Sequence, residues 1–356
     1  MSKARQLANF SSVAPDIGRR NLIINGAMQV AQRGTSKTGV TAGTYATVDR
    51  FQNGANNLGT WTEEQSTDSP NGFSNSFKLT CTTADATPAA GDYIRMLYTF
   101  EGQDLQQFAF GTSDAKNMTI SFWIKSNKTG TVNTILRHTD ANRIAGELVS
   151  INAADTWEYK TVTLNGDTSS GFNNDNQTSA QLQWWFNAGS TFTGGTISNS
   201  FQNLATNMYA SNATLGLGGA TSDYVAITGV QLEVGSVATP FEHRSYGEEL
   251  VACQRYYQYY DSTDRLPAWV ASASTGVIFT ANCLQNPMRA QPSISLTAPA
   301  GFDSYYRSSY VQSSANVNRN SGSTRSVILI LGNFSGMISQ DNGGIYNTVI
   351  KIDAEL

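Results

Sequence analysis

Asn117-Met118-Thr119-Ile120-Ser121-Phe122-Trp123-Ile124-Lys125 alternates with a period of two. Met118, Ile120, Phe122 and Ile124 fall on one face; Asn117, Thr119, Ser121, Trp123 and Lys125 fall on the other. Gln181-Leu182-Gln183-Trp184-Trp185-Phe186-Asn187 repeats the pattern, with Leu182, Trp184 and Phe186 inward and Gln183, Trp185 and Asn187 outward. Both runs predict half-buried antiparallel strands. Working outward, further strands are expected at 76–82, 93–100, 157–164 and 224–234, separated by loops rich in Gly, Asn and Ser such as 165–177. Many short strands with turn signals between them predict an all-β chain built on a jelly-roll sandwich.

Composition agrees. Charged residues make up 14% of the 356 residues, against roughly 25% in an average soluble domain. Apolar residues reach 40% and net charge is only −4, which is not the profile of a disordered chain. The same balance gives no electrostatic case for nucleic acid or an anionic membrane. No apolar run approaches the ~18 residues of a membrane span, and the N-terminus lacks the apolar stretch of a secretory signal. Cys81, Cys253 and Cys283 are odd in number and show no metal-site spacing, so synthesis in a reducing cytoplasm is expected.

The strongest helix signal is Ser245-Tyr246-Gly247-Glu248, a capping box, continued over 248–257. It follows the extended stretch Thr239-Pro240-Phe241 and marks a boundary at 245–260. The expected organisation is an N-terminal peptide and linker (1–20), a sandwich (21–244), a connecting helix (245–260) and a smaller C-terminal β-domain (261–356). Strands are expected there at 277–281, 294–296, 327–331 and 348–352, and a polar hairpin tip or loop at 313–325.

Two longer segments carry a resemblance. One is GRRNLIINGAMQVAQRGTS at 18–36, followed by YATVDRF at 45–51; the other is TGVQLEVGSVATPFEHRSYGEELVACQRYY at 228–257. With FEGQDL at 100–105 and SFWIKS at 121–126, they resemble a family of bacteriophage virion proteins. These are tail-fibre or receptor-binding proteins, often of marine and cyanobacterial phages, whose middle part is similar to a carbohydrate-binding-module jelly roll. The resemblance covers 18–257. It implies a virion component, a homotrimer, made in the host cytoplasm and placed on the tail or, alternatively, on the capsid surface as a fibre or decoration. The opening MSKARQLA is similar to short N-terminal peptides of such fibres. Lys3, Arg5, Leu7 and Phe10 are therefore candidates for docking onto other virion proteins.

The candidate glycan-binding residues are Trp185 with Gln183 and Asn187, and Trp123 beside Ser121. An indole on the polar face of a strand offers a flat surface to a sugar ring, and amides and hydroxyls beside it bond the sugar's hydroxyls. The competing expectation is that a second sheet, a loop or a neighbouring subunit covers those faces. Tyr305 and Tyr306, flanked by Asp303 and Arg307, are a further recognition candidate, whereas the tyrosines at 256–260 are expected to pack. Asp167 and Asp175, among Asn173, Asn174 and Asn176, are the candidate ligands of a structural calcium ion, although their spacing fits no EF-hand and Asn-rich turns need no metal. Glu233 and His243 read as strap residues with a structural role. No catalytic residue is assigned: Glu63-Glu64 and Glu248-Glu249 are mere sequence neighbours, and a nucleophile–base pair is missing. The expectation is a non-enzymatic protein that adheres to a host surface polysaccharide, with a polysaccharide depolymerase as the rival.

Overall fold

In the computed structural model, residues 20–260, 266–272, 277–283, 286–296, 301–304, 310–311, 317–323, 326–331, 342–346 and 350–356 are described. They form two compact units. The first takes Thr35–Thr44 and Phe51–Arg244 with the described part of Met1–Gln29; the second takes Val30–Gly34, Tyr45–Arg50 and Ser245–Leu356. Among the described residues no helix is long and apolar enough to cross a membrane.

The strands of the first unit are β1 (Ser36–Thr44), β2 (Phe51–Ser66), β3 (Ser76–Thr83), β4 (Tyr93–Glu101), β5 (Met118–Ser126), β6 (Gly130–His138), β7 (Arg143–Ile151), β8 (Glu158–Leu164), β9 (Thr178–Ala188), β10 (Gln202–Asn203) and β11 (Tyr224–Val234). Their order is β10-β7-β6-β9-β4-β2-β3-β11-β5-β8, all antiparallel, with β1 alongside β2. The hinge of the arrangement is β2. Its first half pairs with β4 and its second half with β3, and Asn57 (φ 54°) and Gly59 (φ 68°) lie between them. The positive φ values bend the strand there. Two layers result, β10-β7-β6-β9-β4-β2 and β2-β3-β11-β5-β8, and the chain crosses repeatedly from one to the other in the manner of a jelly roll.

The apolar halves of the two alternating runs meet inside. Met118, Ile120, Phe122 and Ile124 are fully buried on β5, as are Leu182, Trp184 and Phe186 on β9. Phe122 meets Trp184 edge-on across the layers, with ring centroids 5.6 Å apart. The period-two pattern thus places the core as expected.

The two resemblance segments brace each other. Along β11, Leu22 N donates to Leu232 O (3.0 Å) and Val230 N donates to Gly26 O (2.9 Å). Asn21 Nδ2 donates to Val230 O (3.2 Å), while Asn21 Oδ1 accepts from Leu232 N (3.2 Å). Gly26 is needed because a Cβ at that position would strike Val230 O.

In the second unit, helix α1 (Tyr246–Gln254) is capped by Ser245, whose Oγ accepts from Glu248 N (3.3 Å) while the Glu248 carboxylate bonds back to Ser245 N (2.9 Å). The helix ends before the expected Tyr257, because β12 (Tyr257–Tyr260) pairs with β21 (Ile350–Asp353), and β21 with β15 (Ser293–Leu296). Strand pairing there overrides helical propensity. A second sheet has the order β17 (Tyr310–Val311), β16 (Gly301–Ser304), β20 (Asn342–Tyr346), β13 (Leu266–Ser272), β14 (Val277–Cys283), β19 (Ser326–Leu331), β18 (Val317–Ser323). The polar stretch expected as a loop at 313–325 therefore holds a strand, β18, made by pairing to the apolar β19.

A buried ionic cluster ties this unit's dispersed segments together. Arg33 is paired with Asp49 (3.6 Å), Asp353 (3.1 Å) and Glu355 (3.5 Å), and Arg50 is paired with Glu355. The Arg50 guanidinium lies 3.4 Å over the Tyr256 ring and that of Arg33 lies 3.6 Å over Tyr257. Of the tyrosines expected to pack, Tyr256 and Tyr257 are buried, whereas Tyr259 is 39% exposed.

Candidate functional site

Trp185 is only 1% exposed. This corrects the expectation of a water-facing indole. β9 is buried on both faces because the segment after it folds back over the layer: Ala210 N donates to Phe192 O (2.9 Å) and Gly195 N to Asn207 O (3.0 Å). Trp185 stacks on Tyr209 (4.9 Å, 22°) and packs against Phe192 (5.2 Å) and Tyr93 (5.0 Å). Its neighbours are engaged as well. Gln183 Oε1 accepts from Trp185 Nε1 (2.7 Å) and from Arg95 Nη1 (2.8 Å), and Asn187 Nδ2 donates to Leu217 O (3.0 Å). Trp185 and Gln183 are covered core and Asn187 is half-buried, and the covering element over Trp185 is a segment of the same chain.

Both residues named as candidate calcium ligands have partners within the protein. Asp167 is buried and held by Arg143, whose Nε and Nη2 reach its two oxygens at 2.6 and 3.3 Å. A carboxylate gripped in this fork is satisfied without a cation. Asp175 is exposed and accepts from Gln177 N (3.0 Å). Among the described residues no three His, Cys, Asp or Glu side chains gather into a metal site. Tyr305, Tyr306 and the docking residues Lys3, Arg5, Leu7 and Phe10 lie outside the described residues.

Trp123 has a different setting. Half-buried on the outer face of β5, it sits opposite Thr228 of β11 and opposite Tyr159 of β8. Its ring centroid is 5.4 Å from that of Tyr159, which is 44% exposed. The two rings form one side of a hollow of about 560 Å³. Phe73, Pro240, Phe241 and His243 form the other, with Asn71, Gly72, Ala238 and Thr239 at its margin. Phe73, Phe241 and His243 are mutually packed at centroid distances of 4.8–5.3 Å.

Local sequence explains each wall. Asn71-Gly72 turns the chain between Pro70 and Phe73, with Phe73 N donating to Pro70 O (3.1 Å) and Gly72 at φ 94°. A positive φ at the third turn position is what makes glycine the natural occupant. The rest of that wall is the strap 239–243, held by the two buried side chains Gln231 and Glu233. Glu233 accepts from Thr239 N (2.8 Å) and Thr239 Oγ1 (2.7 Å), and Gln231 Oε1 accepts from Glu242 N (2.9 Å). Asn21 N donates to Glu242 Oε2 (2.7 Å), and the Arg244 guanidinium donates to Ile23 O (3.1 Å) and Asn21 O. Glu233 thus works through Thr239.

Gly229 lies against two of the lining rings, those of Phe73 and Trp123. Its φ of 62° lies at the register break of β11 between Thr228 and Gln231. A Cβ there would stand 2.7 Å from Phe73 Cζ and 3.0 Å from Trp123 Cδ1. Beside the hollow, Asp68 binds Lys125 Nζ (2.8 Å) and Trp157 Nε1 (3.0 Å). Burial pushes the Asp68 carboxyl up, but the bonds from Lys125 and Trp157 outweigh it, so the group ends below its ordinary value and stays ionised. A rigid concavity lined by aromatic rings, with amide, hydroxyl and imidazole groups at its edge, is suited to holding a ligand with both apolar faces and hydroxyls.

No protein-family model and no curated protein matches the sequence. Among solved structures, the enzymatically active domain of tailspike protein 4 from bacteriophage CBA120 is 14% identical over 60% of this chain and 21% of its own, with a TM-score of 0.30. The family 11 carbohydrate-binding module of Clostridium thermocellum, in complex with a β-1,3-1,4-mixed-linked tetrasaccharide, is 12% identical over 58% of this chain and 98% of its own, TM-score 0.28. A xylan-binding domain from Paenibacillus barcinonensis is 10% identical over 59% and 99%, TM-score 0.26. The chain spans about a fifth of the tailspike chain, at 21%.

Sequence reasoning singled out Trp123 but missed the residues that complete its site. Phe73, Tyr159 and Phe241 come from three separate parts of the chain, and His243 was assigned only a structural part. The available signal was the pairing of an Asn-Gly turn with an aromatic residue, and the aromatic pair Phe241–His243 after a proline.

Proposed function

We propose that this chain is a non-enzymatic bacteriophage virion protein, a tail fibre or receptor-binding protein, that holds a host surface glycan in the Trp123–Tyr159–Phe241 hollow. The observation that carries the glycan reading is the hollow itself. Half-buried and exposed aromatic rings line a hollow on the sandwich, two of them against a position that only glycine permits, beside a strap pinned by buried Gln231 and Glu233. The virion assignment rests on the resemblance of 18–36, 45–51 and 228–257. As a homotrimer docked through its N-terminal peptide, the protein presents three weak sites on one particle. Their avidity then exceeds any single affinity, provided the geometry allows simultaneous engagement.

The test is adhesion of purified protein to host cells, with Trp123→Ala and Tyr159→Ala beside the parent, and immunogold on intact particles. Loss of adhesion in both variants, with unchanged melting and label on the tail, is expected. Label on the capsid with adhesion unaffected would instead make the chain a capsid fibre or decoration. Release of new reducing ends from host polysaccharide would make it a depolymerase.

A further inference from the structure

Resting on that reading, we infer that the hollow selects a neutral saccharide and excludes acidic ones such as uronic acids, sialic acids and sulfated sugars. The ten residues of the lining include no carboxylate, ammonium or guanidinium group. The polar groups they turn to a ligand are the Asn71 amide, the Tyr159 hydroxyl and the His243 imidazole.

Three cations near the hollow, Lys125, Lys160 and Arg244, already lie beside carboxylates. Lys125 is bound to Asp68 at 2.8 Å and Lys160 to Glu158 at 2.6 Å. Arg244 lies 3.7 Å from Glu242 and donates to backbone oxygens of Ile23 and Asn21. Thr239 Oγ1 receives a bond from Arg20 (3.2 Å) and gives one to Glu233 (2.7 Å), so the strap has a positive and a negative group on either side of one hydroxyl.

An acidic sugar seated on this lining would surrender water around its carboxylate or sulfate and gain no cation in exchange, which is strongly unfavourable. The electron-rich faces of the surrounding rings also repel an anion while accepting the C–H face of a neutral pyranose. Affinity for the neutral ligand then involves no ion pair, and salt has nothing to screen.

Isothermal titration of the full chain decides this. The probes are neutral oligosaccharides (cellohexaose, mannohexaose, galactotriose) and acidic ones (hexagalacturonate, sialyllactose, a chondroitin sulfate hexasaccharide), at 50 and 500 mM NaCl. The expected result is Trp123-dependent binding of at least one neutral oligomer, within twofold at the two salt concentrations, and at least tenfold weaker binding of every acidic one. A second variant, Asn71→Lys, puts a cation on the exposed turn at the margin. It should narrow the gap for acidic oligomers without altering the melting temperature. Trp123-dependent binding of an acidic oligomer as tightly as any neutral one, weakened by salt, would overturn the charge selection while leaving the glycan site intact. Binding of neither class, or binding indifferent to Trp123→Ala, would overturn the site as well.

Discussion

Substituting Gly229 by Ala should damage stability and ligand binding together, because one atom bears on both. The position has φ 62°, which costs an L-residue about 1–2 kcal/mol. The added Cβ would also sit 2.7 Å from Phe73 Cζ and 3.0 Å from Trp123 Cδ1. Overpacking of this kind costs about 1–3 kcal/mol. Alanine returns roughly 0.4–1 kcal/mol by stiffening the unfolded chain. The net loss is about 1–4.6 kcal/mol, or some 2–18 °C of melting temperature at about 2–4 °C per kcal/mol. Gly235→Ala is the control: its φ is 119°, yet a Cβ there meets nothing within 4 Å. The control should lose stability through backbone strain alone and keep its affinity. Gly229→Ala should also lose affinity at least tenfold, with a shifted tryptophan emission maximum as Trp123 moves. Differential scanning calorimetry and titration of a binding oligosaccharide read the two effects separately. If Gly229→Ala binds like the parent, or loses no more stability than Gly235→Ala, then the glycine does not set the spacing of the Phe73 and Trp123 rings.

Other perturbations separate site from scaffold. Trp185→Ala should cost about 3–5 kcal/mol as a large buried ring is lost, whereas Trp123→Ala should leave melting nearly unchanged and abolish adhesion; the two calorimetric traces check this. Glu355→Ala removes a carboxylate that pairs with both Arg50 and Arg33, so about 3–5 kcal/mol should be lost from the second unit, visible as an earlier melting transition. Burial raises the Asp49 carboxyl to about 6 against the pull of Arg33 and Gln32. Because the folded value is the higher one, the associated stabilisation is complete below the ordinary value near 3.8 and disappears as pH climbs through about 6. Asp49→Asn should flatten the melting-temperature profile between pH 4 and 6, and a profile identical to the parent's would refute the assignment. Host polysaccharide incubated with the protein should show no new reducing ends.

The sandwich was legible because alternation is a local signal. Met118 to Ile124 and Leu182 to Phe186 announce their inward faces within a few residues, and the Ser245–Glu248 box announces a helix start in four. The outward faces were not legible in the same way. Alternation says that Trp185 opposes Trp184, but not that residues 189–213 return to cover it. That segment is a Ser-, Thr- and Asn-rich stretch whose apolar residues, Phe192, Ile197, Leu204, Met208 and Tyr209, follow neither helical nor strand spacing. Its packing is irregular, so periodicity cannot find it. Glu355 is equally silent in sequence: its partners Arg33 and Arg50 are more than three hundred residues away.

The covering of β9 explains why the site lies on the opposite layer. A sandwich has two outer faces, and each must be solvated, covered or used. On the β9 side, Trp185 would be a large exposed indole beside Ile135 and Ile144, and the returning loop removes all three from water. On the β5 side, no corresponding segment among the described residues crosses Trp123 and Tyr159; instead the strap 239–243 stops beside them, held at Thr239 and Glu242 by Glu233 and Gln231. The stretch TGVQLEVGSVATPFEH therefore does three linked things: Gly229 makes room for the rings, Gln231 and Glu233 anchor the strap, and Phe241 and His243 line the far wall. A segment built only to close a sandwich needs Leu232 in the core but has no use for buried Gln231 and Glu233 side chains, which are unfavourable unless fully bonded. Glu233→Gln distinguishes the two purposes. It keeps the size of the side chain but weakens the two bonds to Thr239, so adhesion should fall while the sandwich stays folded; a variant that adheres normally would leave the strap a closing element and nothing more.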